Sequence, residues 1–128
     1  MHFGEHVTID GYNGDFKTLN SKKVVFDVLN ELVEKLGMTK MAGPYVVKAK
    51  GNTKKDPGGW SGFVLIEESH ISIHTFPKRG FISADVYTCQ NGLNVKFIVD
   101  YFKNKFGLKS VEKHFIKRGL KYPEQNIC

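Results

Sequence analysis

The sequence predicts an α+β fold: a two-layer α/β sandwich in which helices cover one face of a mainly antiparallel sheet. Two segments have apolar residues at helical spacing, and several shorter segments alternate or cluster apolar residues as strands do. Their order along the chain is strand, helix, several strands, helix, strand, which is typical of a layered fold. At 128 residues, the chain has the size of one domain, so we predict a single domain spanning residues 1–128.

Both helices are predicted to be amphipathic. The first follows Ser21, a favourable N-cap residue, and ends at Gly37. The second precedes Gly107, which is a helix stop signal. Their apolar positions are Val24, Val25, Val28, Leu29, Leu32, Val33 and Leu36 in the first, and Val95, Ile98, Val99, Phe102 and Phe106 in the second. Each helix has one apolar face, which indicates that it packs on the sheet.

Six segments read as strands, and turn residues separate most of them. They are residues 5–12, 44–50, 61–66, 69–76, 81–89 and 110–116. Only Pro77-Lys78-Arg79-Gly80 lies between the fourth and fifth segments, which predicts an antiparallel hairpin. The polar segment 51–59 is rich in turn residues, so we predict a surface loop there.

Composition excludes several classes of protein. The net charge of +6 permits nucleic-acid binding. However, the lysines are scattered from Lys17 to Lys121 without a basic and aromatic pattern, so no nucleic-acid partner is predicted. No apolar run is long enough to span a membrane and no signal peptide is recognisable, so we expect a cytoplasmic protein without a membrane partner. Two cysteines, Cys89 and Cys128, do not make a disulfide framework.

The segment 67–77, with the sequence Glu-Glu-Ser-His-Ile-Ser-Ile-His-Thr-Phe-Pro, is unusual for a strand. Ser69 and two histidines lie within it, and Cys89 closes the next strand. A hydroxyl, an imidazole and a thiol are groups used in nucleophilic attack and proton transfer. The alternative is structural, with satisfied histidines in a half-buried strand and a small core cysteine. His70 and His74 would lie about 13 Å apart on a strand, so no metal site is predicted.

The residues Glu68-Ser69-His70-x-Ser72-Ile73-His74-Thr75, followed by Asp85-x-Tyr87-x-Cys89, resemble the self-processing segment of the prokaryotic S-adenosylmethionine decarboxylases. The resemblance implies that the Ser69 hydroxyl attacks the Glu68 carbonyl to give an ester, and that elimination and hydrolysis then leave a pyruvoyl group. The products would be a β chain, residues 1–68, and an α chain, residues 69–128.

The resemblance also implies roles for other residues. Ser61 would assist the acyl shift, His74 would act as the base for elimination, and Cys89 would donate a proton to the product. The cofactor would be the pyruvoyl group made from Ser69, which forms a Schiff base with the substrate amine. Active sites in this family lie at the interface of a homodimer of processed protomers, so a homodimer is predicted.

One position departs from the family pattern. After His-Thr-aromatic-Pro the family has a glutamate that holds the substrate ribose, whereas this chain has Lys78. Lys78 or Arg79 is therefore a candidate for binding a substrate carboxylate, and Trp60 and Phe76 are candidates for stacking on adenine, although Trp60 also reads as a core anchor.

Three functional hypotheses follow. The first is decarboxylation of S-adenosylmethionine for spermidine synthesis. The second is the same pyruvoyl chemistry on a basic amino acid, arginine or ornithine. The third is a binding or partner subunit that keeps the fold without being processed.

Overall fold

The computed structural model describes residues 2–52 and 54–123. Within them it has six strands, three α-helices and one short 3₁₀ helix, Pro77–Arg79. In chain order the elements are β1 Gly4–Tyr12, α1 Phe16–Leu19, α2 Lys22–Lys35, β2 Lys40–Ala49, β3 Gly59–Ile66, β4 Ser69–Phe76, β5 Phe81–Thr88, α3 Val95–Phe106 and β6 Ser110–Arg118. The strands form one sheet in the order β2-β3-β4-β5-β1-β6. All five pairings are antiparallel, which confirms the predicted fold class.

The hydrophobic core lies on one face of this sheet. Alternate residues of the central strands are buried there, because successive side chains of a strand point to opposite faces. Fully buried examples are Val7 and Ile9 of β1, Ile71 and Ile73 of β4, and Ile82 and Val86 of β5. Helix α2 contributes Leu29 and Leu32 to the same core, and α3 contributes Phe102 and Phe106. The helices therefore cover one face and leave the other uncovered.

The two long helices begin and end where the sequence predicts, within two residues. Ser21 caps α2, because its side chain accepts a hydrogen bond from the Val24 N–H at 3.1 Å. Gly107 ends α3 in the left-handed conformation, with φ of 61°. Helix α1 was not predicted, since a single turn is too short to show periodicity. No helix in the described part of the chain is long and apolar enough to cross a membrane.

Strand β2 is longer than predicted and lies at an edge of the sheet. The prediction was residues 44–50, whereas β2 spans Lys40–Ala49. Its pairing with β3 shifts register twice between Lys40 and Tyr45. Such irregularities break the two-residue alternation that identifies a strand from sequence, and they are common at sheet edges.

The uncovered face is apolar at the β2–β3 edge and polar at its centre. Tyr45 pairs with Phe63 across the two strands, and Val47 pairs with Ser61. Tyr45 is 52% exposed, Val47 64% and Phe63 42%. Adjacent exposed apolar side chains of this kind typically mark an interaction surface.

Candidate active site

Ser69 begins β4, directly after the turn that joins it to β3. Its Oγ donates a hydrogen bond to the carbonyl oxygen of Glu68 at 2.5 Å, so the hydroxyl lies against the carbonyl group that it would attack. A cavity of about 710 Å³ opens beside this turn. It is lined by Met41, Leu65, Ile66, Glu67, Glu68, Ser69, His70 and Tyr87. The predicted cleavage point therefore borders a space large enough for a small-molecule substrate.

Cys89 lies at the same end of the sheet as Ser69. In the β4–β5 pairing His70 is opposite Tyr87, and continuing this antiparallel register brings Cys89 opposite Glu68. Cys89 is half-buried and its thiol is free. The structure thus places the predicted cleavage point at the start of β4 and the predicted proton donor just after the end of the neighbouring strand β5.

Strand β1 holds the segment around Cys89 in place. A Cβ atom at Gly4 would lie 2.3 Å from the Thr88 carbonyl oxygen, so only glycine fits there. The buried Glu5 carboxylate accepts hydrogen bonds from the Gly92 N–H at 3.0 Å and the Leu93 N–H at 2.8 Å. Burial raises the pKa of Glu5, but these hydrogen bonds and His2 outweigh it, so the pKa is lowered overall. Glu5 therefore anchors the loop that follows Cys89.

Replacing Glu5 by Gln is expected to destabilise the fold by about 1–2 kcal/mol at pH 7, because the Gly92 and Leu93 N–H groups would then donate to a neutral amide oxygen instead of a charged carboxylate. The pKa of Glu5 is lowered in the folded protein, so its contribution is complete above the unfolded value of 4.5 and is lost as the pH falls further. Urea unfolding of both proteins at several pH values measures this difference. The exposed Glu34→Gln variant of α2 is the control, and an equal loss at pH 3 and pH 7 would contradict the assignment.

Ser61 and His74 form a second group on the uncovered face. They are directly opposite each other on β3 and β4, and His74 Nδ1 lies 2.9 Å from Ser61 Oγ. His74 is five residues beyond Ser69, which corresponds to about 16 Å along a strand. The two predicted processing residues therefore contact each other, but within one protomer they are too far from Ser69 to act on it.

The remaining predicted site residues lie near the far end of β4. Trp60 packs against the core, and its buried Nε1 has no hydrogen-bond partner among the described residues. Phe76 packs on Phe81 with ring centroids 5.4 Å apart. Arg79 donates to the Lys54 carbonyl. Lys78 lines a separate cavity of about 310 Å³ together with Lys48 and Lys50, so this group is not brought to Ser69 of the same protomer.

A polar cluster next to Ser69 was missed by the sequence analysis. His6 Nε2 and His70 Nε2 lie 2.6 and 2.9 Å from the same oxygen of Asp85, and Ser72 donates to the other oxygen. Burial raises the pKa of Asp85, but the hydrogen bonds from Ser72, His6 and His70 outweigh it and lower the pKa overall. The sequence does place His6, His70, Ser72 and Asp85 on one face of their strands. It does not show that β1 pairs with β5, and this pairing is what brings His6 to Asp85.

The geometry of His6, His70 and Asp85 is also compatible with three ligands of one metal ion, since their ligand atoms lie within 4.8 Å of one another. The Arg118 guanidinium, however, lies 3.2 Å from His6 Nδ1. Arginine only donates, so His6 Nδ1 must accept and Nε2 must carry the proton. A metal ligated by Nε2 would require the opposite tautomer. We therefore interpret the cluster as a hydrogen-bond network, and the absence of a metal site stays a prediction.

A sequence model described as S-adenosylmethionine decarboxylase matches residues 5–119. The chain belongs to the S-adenosylmethionine decarboxylase family. This confirms the resemblance inferred from the residues around Ser69, and it extends the similarity to nearly the whole chain.

The chain is similar to S-adenosylmethionine decarboxylases from distantly related organisms. The S-adenosylmethionine decarboxylase proenzyme of Clostridium botulinum, strain Loch Maree, is 34% identical over 116 residues, which cover 91% of this chain and 94% of that protein. That of Archaeoglobus fulgidus is 31% identical over 119 residues, covering 93% and 100%. The crystal structure of the adenosylmethionine decarboxylase from Aquifex aeolicus VF5 superimposes with a TM-score of 0.79 at 28% identity, covering 98% of both chains.

Proposed function

We propose that this chain is the proenzyme of a pyruvoyl-dependent S-adenosylmethionine decarboxylase and that it cleaves itself between Glu68 and Ser69. The observation that carries the proposal is the Ser69 hydroxyl, which lies 2.5 Å from the Glu68 carbonyl oxygen at the rim of a substrate-sized cavity. The proenzyme names of its relatives support it. The reaction product would supply aminopropyl groups for spermidine synthesis.

The cleavage uses only groups of the chain and water. Ser69 Oγ bonds to the Glu68 carbonyl carbon, the peptide C–N bond breaks, and the nitrogen of residue 69 gains a proton. Loss of the Ser69 Cα proton to a base then expels the Glu68 carboxylate. Hydrolysis with release of ammonia leaves a pyruvoyl group at position 69. The products are residues 1–68 and residues 69–128.

The residues around Ser69 fit this cofactor. Position 69 borders the cavity, and the half-buried Cys89 follows β5 beside the cleavage point. When formed, the pyruvoyl group supplies an electrophilic carbonyl that accepts the electrons released with carbon dioxide. The role of Cys89 is then to deliver a proton to the carbon that lost carbon dioxide, which a free, half-buried thiol just after β5 can do.

The distance between Ser69 and the Ser61–His74 pair supports a homodimer. A partner related by twofold symmetry presents the same surface in reverse, so the uncovered faces can pair and bring His74 and Ser61 of one protomer towards Ser69 of the other. Such a contact would also cover the exposed Tyr45 and Val47. Each of the two active sites would then contain residues from both protomers, with His74 as the base for elimination.

The names of the relatives favour S-adenosylmethionine over arginine or ornithine as the substrate. Lys78 replaces the expected glutamate and lies with Lys48 and Lys50 around their own cavity. In the proposed homodimer, this end of β4 approaches the partner's active site, where Lys78 or Arg79 would hold a carboxylate and Phe76 would contact adenine. Trp60 packs against this chain's own core, which favours its reading as a core anchor.

Intact mass under denaturing conditions tests the proposed function. The purified protein is incubated separately with S-adenosylmethionine, arginine and ornithine, then reduced with cyanoborohydride, and carbon dioxide release is measured in parallel. We expect two fragments divided at Glu68-Ser69, with the larger adduct yield and carbon dioxide release from S-adenosylmethionine. A single uncleaved chain would instead favour a binding or partner subunit, and release only from a basic amino acid would change the substrate.

Cys89→Ala is expected to be cleaved normally but to turn over about 10²-fold or more slowly, the range for loss of a general acid. Its product should contain a larger share of wrongly protonated material. Steady-state kinetics and mass analysis of the product measure both effects. The control is Cys128→Ala, which removes the other cysteine of the chain. Wild-type turnover in Cys89→Ala would refute its role as the acid.

A further inference from the structure

The hydrogen bonds around Asp85 fix the orientation of His70. Asp85 has a lowered pKa and is ionised at neutral pH, so its oxygens only accept hydrogen bonds. His6 and His70 must therefore both donate to it through Nε2–H. A neutral imidazole that donates from Nε2 has its lone pair on Nδ1. Asp85 thus sets the same tautomer in both histidines.

The two histidines differ in what their other nitrogen contacts. The Nδ1 of His6 accepts from the Arg118 guanidinium at 3.2 Å, so its lone pair is occupied. The Nδ1 of His70 has no hydrogen-bond partner among the described residues, and the His70 side chain is 37% exposed. Its ring forms part of the cavity wall that Glu68 and Ser69 also line. Of the two imidazoles on Asp85, only that of His70 can take up a proton next to the cleavage point.

We propose that His70, oriented by Asp85, accepts the hydroxyl proton of Ser69 when Ser69 attacks the Glu68 carbonyl. Adjacent side chains of a strand point to opposite faces, so the proton passes through one water of the cavity that both residues line. The proton leaves Oγ as the Oγ–C bond forms, and His70 returns it to the nitrogen of residue 69 as the C–N bond breaks. No other reactant is needed, and His70 ends the step neutral. This inference rests on the self-cleavage proposed above and concerns only its first step.

Asp85 is suited to support this step. Its negative charge lies 2.9 Å from the ring nitrogen of His70, so it stabilises the imidazolium that forms while the proton is held. Ser72 donates a hydrogen bond to the other carboxylate oxygen, and this bond fixes the orientation of the carboxylate group. Asp85 is therefore a positioning residue, because it acts through His70. The elimination base proposed above, His74, belongs to a later step.

Cell-free synthesis followed by intact mass at intervals measures the rate of cleavage, and hydroxylamine measures the ester, since it cuts esters but not peptide bonds under mild conditions. His70→Gln is expected to slow cleavage about 10²-fold or more, with an equal fall in the fragments released by hydroxylamine. His6→Gln is the matched control, since it contacts the same carboxylate with its Nδ1 already occupied, and it should slow cleavage much less. Asp85→Asn, which keeps the shape and removes the charge, should fall between them.

Added imidazole is the test that a purely structural role would fail. His70→Ala opens space beside an existing cavity, so free imidazole is expected to restore part of its cleavage rate while leaving His6→Gln unchanged. Circular dichroism confirms that each variant is folded.

Three results would overturn the inference. The first is cleavage of His70→Gln at the wild-type rate. The second is accumulation of hydroxylamine-sensitive ester in that variant. The third is a folded His70→Ala variant whose cleavage rate does not rise when imidazole is added. A wild-type chain that never cleaves would instead refute the proposed function itself.

Discussion

Ser69→Ala is expected to remain a single chain of 14.5 kDa and to lose at least about 10⁴-fold of the decarboxylase activity, because no other group supplies the reactive carbonyl. The substitution removes one oxygen atom at the first position of β4, where the Ser69 hydroxyl contacts only its own neighbour Glu68 among the described hydrogen bonds. The fold should therefore be retained. Intact mass, carbon dioxide release and thermal unfolding measure the three expectations.

The matched control for this variant is Ser110→Ala, which removes an exposed hydroxyl at the start of β6. It should be cleaved and active like the wild type. Normal activity in uncleaved Ser69→Ala would sink the pyruvoyl mechanism, and cleavage of Ser69→Ala at the same bond would show that an outside protease cuts it.

Co-expression of Ser69→Ala with His74→Ala is expected to restore cleavage that neither variant shows alone. In the mixed dimer, the intact Ser69 of one protomer meets the intact His74 of the other, so one of the two active sites is complete. Random pairing makes about half of the dimers mixed, so about half of the His74→Ala chains should be cut. Differently tagged chains and intact mass give this fraction.

A complete site within one protomer predicts the opposite result. His74→Ala chains would then stay uncut whatever their partner, because no chain in the mixture has both residues. The control is Ser69→Ala co-expressed with the double variant Ser69→Ala/His74→Ala, in which no cleavage is possible under either arrangement.

The helices and the strands that carry the predicted site could be predicted because their signals are local. Ser21 and Gly107 bound α2 and α3 through their own hydrogen-bonding and backbone preferences. The position of Ser69 and Cys89 at the same end of the β4–β5 hairpin also followed from a local feature, the short turn between these strands. Family resemblance added the chemistry of these residues, which spacing alone does not give.

The place of His6 in the Asp85 cluster could not be predicted, because it depends on a contact between distant segments. His6 and Asp85 are 79 positions apart, and only the pairing of β1 with β5 brings them together. Neither strand carries a signal that specifies this neighbour. The separation of His74 from Ser69 could be calculated from strand geometry. That it supports a homodimer depends on the uncovered apolar face, which becomes visible only when both helices are placed on the opposite face of the sheet.

The strand order has a consequence for the lifetime of the protein after the proposed cleavage. Strand β1, from residues 1–68, lies between β5 and β6, from residues 69–128, and β3 pairs with β4 across the cleavage point. Three strand pairs would therefore hold the two proposed fragments together, so the fragments should not separate under native conditions. Once unfolded, however, two molecules must find each other instead of one chain folding alone. Refolding would then depend on protein concentration, and the proposed self-cleavage would exchange reversible folding for kinetic stability.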